Sequence, residues 1–199
     1  MRLVDRAAGG APRRVRLALD WLVTGVVAVA FVLAFEAEVA RPFRIPSESM
    51  EPTLHCARPA TGCDATMSDR VIACIVCYRL SAPARGQIVV FHAPALAATR
   101  CSEGGIYVKR LIGLPGDTWQ EVNGSVLIDG RKLAEPYVEP SLRDDRTIAP
   151  IHIPAGDYFM MGDNRANSCD SRSWGVVPRS ALIGPVVLTY WPPDRLTIR

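Results

Sequence analysis

The run Trp21–Phe35, WLVTGVVAVAFVLAF, holds fifteen residues without a charge. A helix over it would rise ~22 Å, short of a hydrocarbon core of roughly 30 Å. Extension through Leu17–Asp20 and Ala37–Ala40 makes up the span, with Glu36 and Glu38 at the interface. Five arginines (Arg2, Arg6, Arg13, Arg14, Arg16) precede the run against two aspartates. Such a bias keeps the basic end in the cytoplasm and puts the chain after about residue 41 outside it. Three readings stay open: an uncleaved anchor, a cleaved export signal with Val32-Leu33-Ala34 as its small-residue site, or a buried core helix. The anchor is favoured because later cleavage sites are poor: Glu38 would sit three residues before a cut at Ala40. The expected division is a basic cytoplasmic segment over 1–16, a transmembrane anchor over 17–40 and an extracytoplasmic β-rich domain over 41–199.

After the anchor the pattern changes from a continuous apolar run to short strands between turn signals. Strands are expected over Arg70–Val76, Gln87–Phe91, Ile106–Ile112, Ser125–Ile128, Asp157–Met161 and Leu182–Tyr190. Val122-Asn123-Gly124-Ser125 is a hairpin signal, because Asn-Gly accepts the positive φ angles of a type I′ turn, and Asp129-Gly130 marks a second turn. No amphipathic helix of convincing length follows the anchor; Pro178–Ile183 holds at most one short turn. The fold class is all-β: an antiparallel β-sheet domain behind one N-terminal transmembrane helix. Apolar residues at 49 % and charged ones at 22 % over 199 residues exclude a disordered chain. A net charge of +3 is too small to argue for nucleic acid. Leu142–Arg146, LRDDR, reads as a solvated loop.

Three segments carry chemistry. Arg41–Leu54, RPFRIPSESMEPTL, sets two serines between prolines just beyond the membrane. Taken alone, such serines mean a turn, and a nucleophile needs a base. Ile106–Asp117, IYVKRLIGLPGD, carries one of only two lysines among 23 basic residues. In a strand Lys109 shares a face with Tyr107 and Leu111, while Arg110 points the other way. Burial favours a neutral amine, which can take a proton from a serine hydroxyl; a guanidinium cannot. The other lysine, Lys132, lies beside Arg131 after a turn and reads as solvated. Phe159–Gly175, FMMGDNRANSCDSRSWG, runs an apolar strand into a dense polar loop, which packs only if its groups bond one another.

Together these segments resemble the bacterial type I signal peptidase (leader peptidase) family of membrane-bound Ser-Lys endopeptidases. The resemblance lies in Pro46–Thr53 (PSESMEPT), Tyr107–Asp117 (YVKRLIGLPGD) and Gly162–Arg172 (GDNRANSCDSR), in the family's order, with further similarity at Ser68–Val71 and Arg85–Phe91. It implies Ser49 as nucleophile and Lys109 as general base. It implies an oxyanion hole from the Ser49 N–H and from Ser47, and Ser168 hydrogen-bonded to Lys109 to orient it. Asp170 and Arg172 would form a supporting ion pair with Arg110 nearby. Ile45, Met50, Leu54, Tyr107 and Val108 would line shallow pockets for small side chains one and three residues before the cut. The implied partners are signal-peptide-bearing preproteins and a lipid bilayer, with no nucleic acid, no metal and no cofactor. The sequence departs from the family pattern at Ala166, where aspartate is common, at Glu48, where glycine is common, and at Cys74 and Cys77.

Three rival readings are weaker. A self-cleaving repressor protease would need a DNA-binding domain where the apolar run stands. A catalytically dead anchored binding protein has no use for both dyad residues. A secreted or anchored zinc-binding or structural module would use Cys56, Cys63, Cys74 and Cys77, but the spacing is not a strong zinc pattern and an extracytoplasmic chain favours disulfides. Cys56 and Cys63 flank a short loop they can close. If the loop bearing Ser168 packs on the base strand, Cys101 and Cys169 can bridge. Cys74 and Cys77, on opposite faces of one strand, are expected free and buried. His55, His92 and His152 have no evident carboxylate partner in sequence and read as solvated or structural.

Overall fold

The computed structural model describes residues 12–101 and 104–199. Arg2, Arg6 and most of the expected cytoplasmic segment lie outside the described residues. The chain divides into two units, Met1–Ala40 and Arg41–Arg199. The first contains helix α1, Arg13–Glu38, which starts directly after Pro12. Pro in that place has its φ preset for a helix start and lacks an N–H that would go unsatisfied. Its 26 residues span ~39 Å. Its most apolar stretch has a mean hydropathy of 2.3, long and apolar enough to cross a membrane.

The second unit is built from antiparallel sheet. Its strands are β1 (Ala40–Arg44, which begins at the boundary), β2 (Arg70–Cys74), β3 (Ile88–His92), β4 (Ile106–Gly113), β5 (Thr118–Val122), β6 (Ser125–Ile128), β7 (Arg131–Lys132), β8 (Ile148–His152), β9 (Asp157–Met161), β10 (Val177–Pro178), β11 (Leu182–Trp191) and β12 (Thr197–Ile198). The larger sheet has the order β1-β2-β11-β3-β4-β9-β10, with β12 on β11; the smaller has the order β7-β6-β5-β8. Short helices α2 (Cys77–Leu80), α3 (Ala95–Cys101) and α4 (Ser171–Trp174) fill connections. The six expected strands are present, and the Pro178–Ile183 turn appears as a 3₁₀ turn over Arg179–Ala181. The hairpin signal is realised: Asn123 and Gly124 take φ of 46° and 68°, and Asp129 and Gly130 take 51° and 75°.

The central strands of the larger sheet are apolar on both faces, which is why they read as unbroken hydrophobic runs. Ile88 and Val90 of β3 pack with Ile45, Met50, Leu54, Val71 and Val186 in one core cluster, while Val89 and Phe91 point into a second with Leu111, Met160 and Trp174. Ile112 of β4 and Phe159 and Met161 of β9 face a third cluster with Trp119 and Val126 from the smaller sheet and Ile153 just beyond β8. Trp119 stacks on Phe159 with ring centroids 4.3 Å apart, joining the two sheets.

The cysteines correct one expectation. Cys56–Cys63 and Cys101–Cys169 are disulfides, and so is Cys74–Cys77, which was expected free. The alternation argument assumed a strand through Val76. Strand β2 ends at Cys74, Val76 is in the right-handed helical region, and Cys77 opens α2, so the two Cα atoms come within 5.5 Å. The four thiols of the zinc reading are thereby used in two separate disulfides. The LRDDR segment is also corrected. Gly124 N–H donates to the Arg146 carbonyl at 2.9 Å, and Asp144 is drawn inward to Arg172.

Gly184 of β11 lies so close to β2 that an added Cβ would run into the Cys74 carbonyl. That neighbour is backbone fixed by sheet pairing and disulfide, so it cannot move aside. Gly184→Ala is expected to destabilise the protein by roughly 2 kcal/mol, read as a lowered midpoint in denaturant unfolding of the full chain in detergent micelles.

Candidate active site

β1 leads through Ile45 and Pro46 into a 3₁₀ turn, Glu48–Met50. Ser47 is extended before the turn, with φ −130° and ψ 159°, and the Glu51 N–H closes it on the Glu48 carbonyl at 2.9 Å. Met50, 1 % exposed, anchors the turn in the first core cluster. Ser49 is thus held at 8 % exposure, with its Oγ 3.3 Å from that of Ser47. The turn is also tied from behind: Asn164 donates its N–H to the Ser49 carbonyl at 3.2 Å and its side-chain amide to the Glu48 carbonyl at 3.4 Å.

Strand β4 presents Lys109 and Arg110 to opposite faces, as strand alternation requires. Lys109 is 4 % exposed, and its Nζ lies 5.8 Å from the Tyr107 ring centroid. Arg110, 8 % exposed, makes two hydrogen bonds to Asp163, 2.8 Å from Nε and 2.6 Å from Nη2, a third to the Gly86 carbonyl, and covers the Tyr137 ring. Thr53 donates to the same Asp163 at 2.5 Å. Arg110 is therefore matched by Asp163 rather than by the Asp170–Arg172 pair.

Beyond β9 the polar loop folds around Gly162, where an added Cβ would strike Ser168 Oγ and the Ser49 carbonyl. Only glycine lets the loop approach the nucleophile turn this closely. Asp170 accepts the Gly162 N–H at 3.1 Å, caps α4 through the Arg172 N–H, and pairs with the Arg172 guanidinium at 2.9 and 2.8 Å. Burial pushes the Asp170 carboxyl up, but Arg172, then Lys109 and the Gly162 N–H, outweigh it and hold the group below the usual range. Arg172 also bonds Asp144 at 2.6 Å and faces Glu121 at 3.5 Å. Arg165, wholly buried, pairs with Glu135 through both terminal nitrogens at 3.0 and 2.5 Å. Ser168 Oγ is buried and has no hydrogen-bond partner among the described residues, so the structure does not show the expected bond to Lys109.

Ser47, Ser49 and Lys109 line one cleft of about 650 Å³, together with Ile45, Met50, Tyr107, Val108 and the Cys101–Cys169 disulfide. Leu54 does not line it. It is wholly buried in the core cluster that contains Ile45 and Met50, because the chain turns inward after Pro52. Glu48 lines the cleft, but its carboxylate packs against Gly62 inside the Cys56–Cys63 loop. Burial and the neighbouring Glu51 push Glu48 up. His55 does have a carboxylate partner: its Nδ1 is 2.5 Å from Glu51, four residues earlier. Sequence reading also gave no role to Asp163, Asn164 and Arg165, although they stand in the quoted loop motif. It missed Glu121 and Glu135 altogether, since neither has a local signal.

A serine-bearing turn and a buried lysine line one cleft, backed by a polar loop of paired charges. The model for signal peptidase, peptidase S26, matches residues 18–191. A signal peptidase I of Leptolyngbya laminosa is 38 % identical over 179 residues, covering 89 % of this chain and 82 % of the relative. A signal peptidase I of Mycobacterium tuberculosis is 32 % identical over 221 residues, covering 88 % and 73 %. Signal peptidase IB of Staphylococcus aureus is 32 % identical over 192 residues, covering 87 % and 90 %. The chain belongs to the signal peptidase family, peptidase S26, and is a peptidase of the signal peptidase I kind. A solved signal peptidase I of Enterococcus faecalis aligns over 53 % of this chain and 97 % of its own, at 30 % identity and a TM-score of 0.42.

Glu121 is wholly buried, and burial pushes its carboxyl from the ordinary 4.5 up to about 7 against the pull of Arg172. Because the folded state holds this proton more tightly, the group's contribution to stability is complete below pH 4.5 and is lost as pH rises through about 7. The loss amounts to roughly 3 kcal/mol. Glu121→Gln has no such loss. Its melting temperature relative to wild type is therefore expected to rise between about pH 5 and pH 8, as read by thermal unfolding across that range.

Proposed function

We propose that this chain is a membrane-anchored serine endopeptidase that removes N-terminal signal peptides from exported preproteins after a small-x-small motif. Ser49 is the nucleophile and Lys109, neutral, the general base. The observation that carries the reading is that Ser49 and Lys109, both buried, line one cleft. Ser49 Oγ attacks the scissile carbonyl while its proton passes to Lys109 Nζ, which hands it to the leaving amine. Water then enters, gives a proton to Lys109 as it attacks the acyl carbon, and Lys109 returns that proton to Ser49 Oγ as the acyl–oxygen bond breaks. The Ser49 N–H and the Ser47 hydroxyl stabilise the oxyanion; loss of one such donor costs on the order of 3 kcal/mol of barrier. Ser168, whose buried hydroxyl has no hydrogen-bond partner among the described residues, turns to the amine in the working enzyme and orients it. Asp170 and Arg172 hold that loop, and Ile45, Met50, Tyr107 and Val108 shape the pockets.

Burial favours the free amine of Lys109. The guanidinium of Arg110 is matched by Asp163, so it adds little repulsion of its own. Residues 17–40 serve as the anchor in the bacterial cytoplasmic membrane, with 1–16 cytoplasmic and 41–199 extracytoplasmic. The arginines before Trp21 favour that orientation.

Cleavage of a preprotein ending in Ala-x-Ala, in detergent and with folding checked by circular dichroism, tests the chemistry. Ser49→Ala and Lys109→Arg should both lose nearly all activity, because removing either disables the same step, and Lys132→Arg should be silent. A folded Lys109→Arg protein keeping more than about a tenth of the wild-type rate, some 1.4 kcal/mol of barrier, ends the assignment. The anchor is tested by N-terminal sequencing of the mature protein. A start before Trp21 is expected, and a start near Phe35 refutes retention.

A further inference from the structure

Behind the cleft, one guanidinium serves three carboxylates from three parts of the chain. Arg172 bonds Asp170 twice and Asp144 once, at 2.9, 2.8 and 2.6 Å. Glu121, delivered by β5 of the smaller sheet, approaches Arg172 Nη1 at 3.5 Å, and neither of its carboxyl oxygens makes a hydrogen bond. Arg165 also faces this group, but Glu135 takes up its charge. Arg146 reaches only Asp144, at 3.2 Å from a half-exposed position. Asp144 is held from behind by the hairpin tip, where the absence of a Cβ on Gly124 admits its carbonyl. One positive charge cannot match three negative ones, so the buried cluster carries an excess that depends on whether Glu121 holds a proton.

We propose that Glu121 is a positioning residue for the peptidase: packed on Arg172, its carboxyl acts through the Arg172–Asp170 pair to set the pH at which Lys109 gives up its proton. The inference rests on Lys109 being the base. Asp170 already feels the charge of Lys109, so negative charge gathered around Arg172 acts on the same amine. An ionised Glu121 favours the ammonium, and a protonated Glu121 favours the free amine. Burial pushes Glu121 up to about 7, so it gains its charge near neutrality. As pH rises, Glu121 gains charge just as Lys109 must lose it, and each opposes the other. The smaller sheet, which contributes no residue to the cleft, thereby bears on the chemistry.

The test is kcat/KM against pH, from about 5 to 10, for the full chain in detergent with an Ala-x-Ala preprotein. Wild type is expected to show a rising limb flattened near neutrality. Glu121→Gln should show a single steeper limb displaced to lower pH by about half a unit or more, with the two curves converging toward acid pH. A variant curve lowered by one constant factor at every pH is what a merely structural role would produce, and it overturns the proposal. So does a limb that stays in place or moves to higher pH. If Glu121→Gln does not fold, Asp144→Asn removes another carboxylate from the same guanidinium and must move the limb in the same direction; an unmoved limb there also overturns it. Lys109→Arg in the same assay separates the two claims. If it stays active, the reading of Lys109 as base has failed. If it is dead while the limb of Glu121→Gln is unmoved, only the role of Glu121 has failed.

Discussion

Asp170 has no exposed surface, yet it meets the guanidinium of Arg172, the N–H of Gly162 and the first turn of α4, and its carboxylate feels Lys109. Taking a carboxylate out of water costs several kcal/mol, and a single ion pair seldom returns that amount. The residue is tolerable because each of its oxygens is engaged by a charged or backbone donor. That requirement dictates the loop. Gly162 must turn its N–H inward, Arg172 must meet the carboxylate through Nε and Nη2, and Gly162 must fit against both Ser168 and the carbonyl of Ser49. Breaking the pair would leave a buried charge alone, so the loop has one arrangement in which it can be packed.

The same logic operates on the other face of β4. Adjacent strand residues point apart, so Lys109 and Arg110 cannot share a counter-ion. The loop after β9 supplies two: Asp163 to Arg110 at its start and Asp170 toward Lys109 near its end. Thr53, four residues past Ser49, donates to Asp163, so the nucleophile turn is stitched to the loop on that face as well. The disulfide Cys101–Cys169 adds a covalent tie between the approach to β4 and the residue after Ser168. Three independent kinds of bond thus converge on the relative placement of one serine and one lysine.

What could be read from the sequence follows from how local its causes are. A type I′ turn is written in two residues, and Asn123-Gly124 gave the β5–β6 hairpin directly. Strands buried on both faces are written as apolar runs, so β3 and β9 were visible, whereas the half-exposed β8 was not. Cys74 and Cys77 were misread because a strand was extended two residues too far, and alternation was applied where the chain had already turned. The charge partners were out of reach. Arg165 finds Glu135 thirty residues back, and Arg172 finds Glu121 across two sheets, with nothing near either acid to mark it. LRDDR has the composition of a solvated loop; Asp144 is drawn in only because a guanidinium is waiting on the inside.

On the proposed mechanism, those distant partners bear on how a lysine could serve as the base. A buried amine surrounded by unmatched negative charge would stay protonated, and one surrounded by unmatched positive charge would repel the proton it must accept. Three arginines near it are each taken up by an acid: Arg110 by Asp163, Arg165 by Glu135 and Arg172 by Asp170. With those charges paired in place, burial is the influence that favours the neutral form on the proposed mechanism. The residue that remains is the surplus carboxyl at Arg172. Glu121 can shed that surplus by keeping its proton near neutrality. On the proposed mechanism the ion-pair network is therefore more than a clamp on the loop, because its near-balance would let Lys109 act as a proton acceptor.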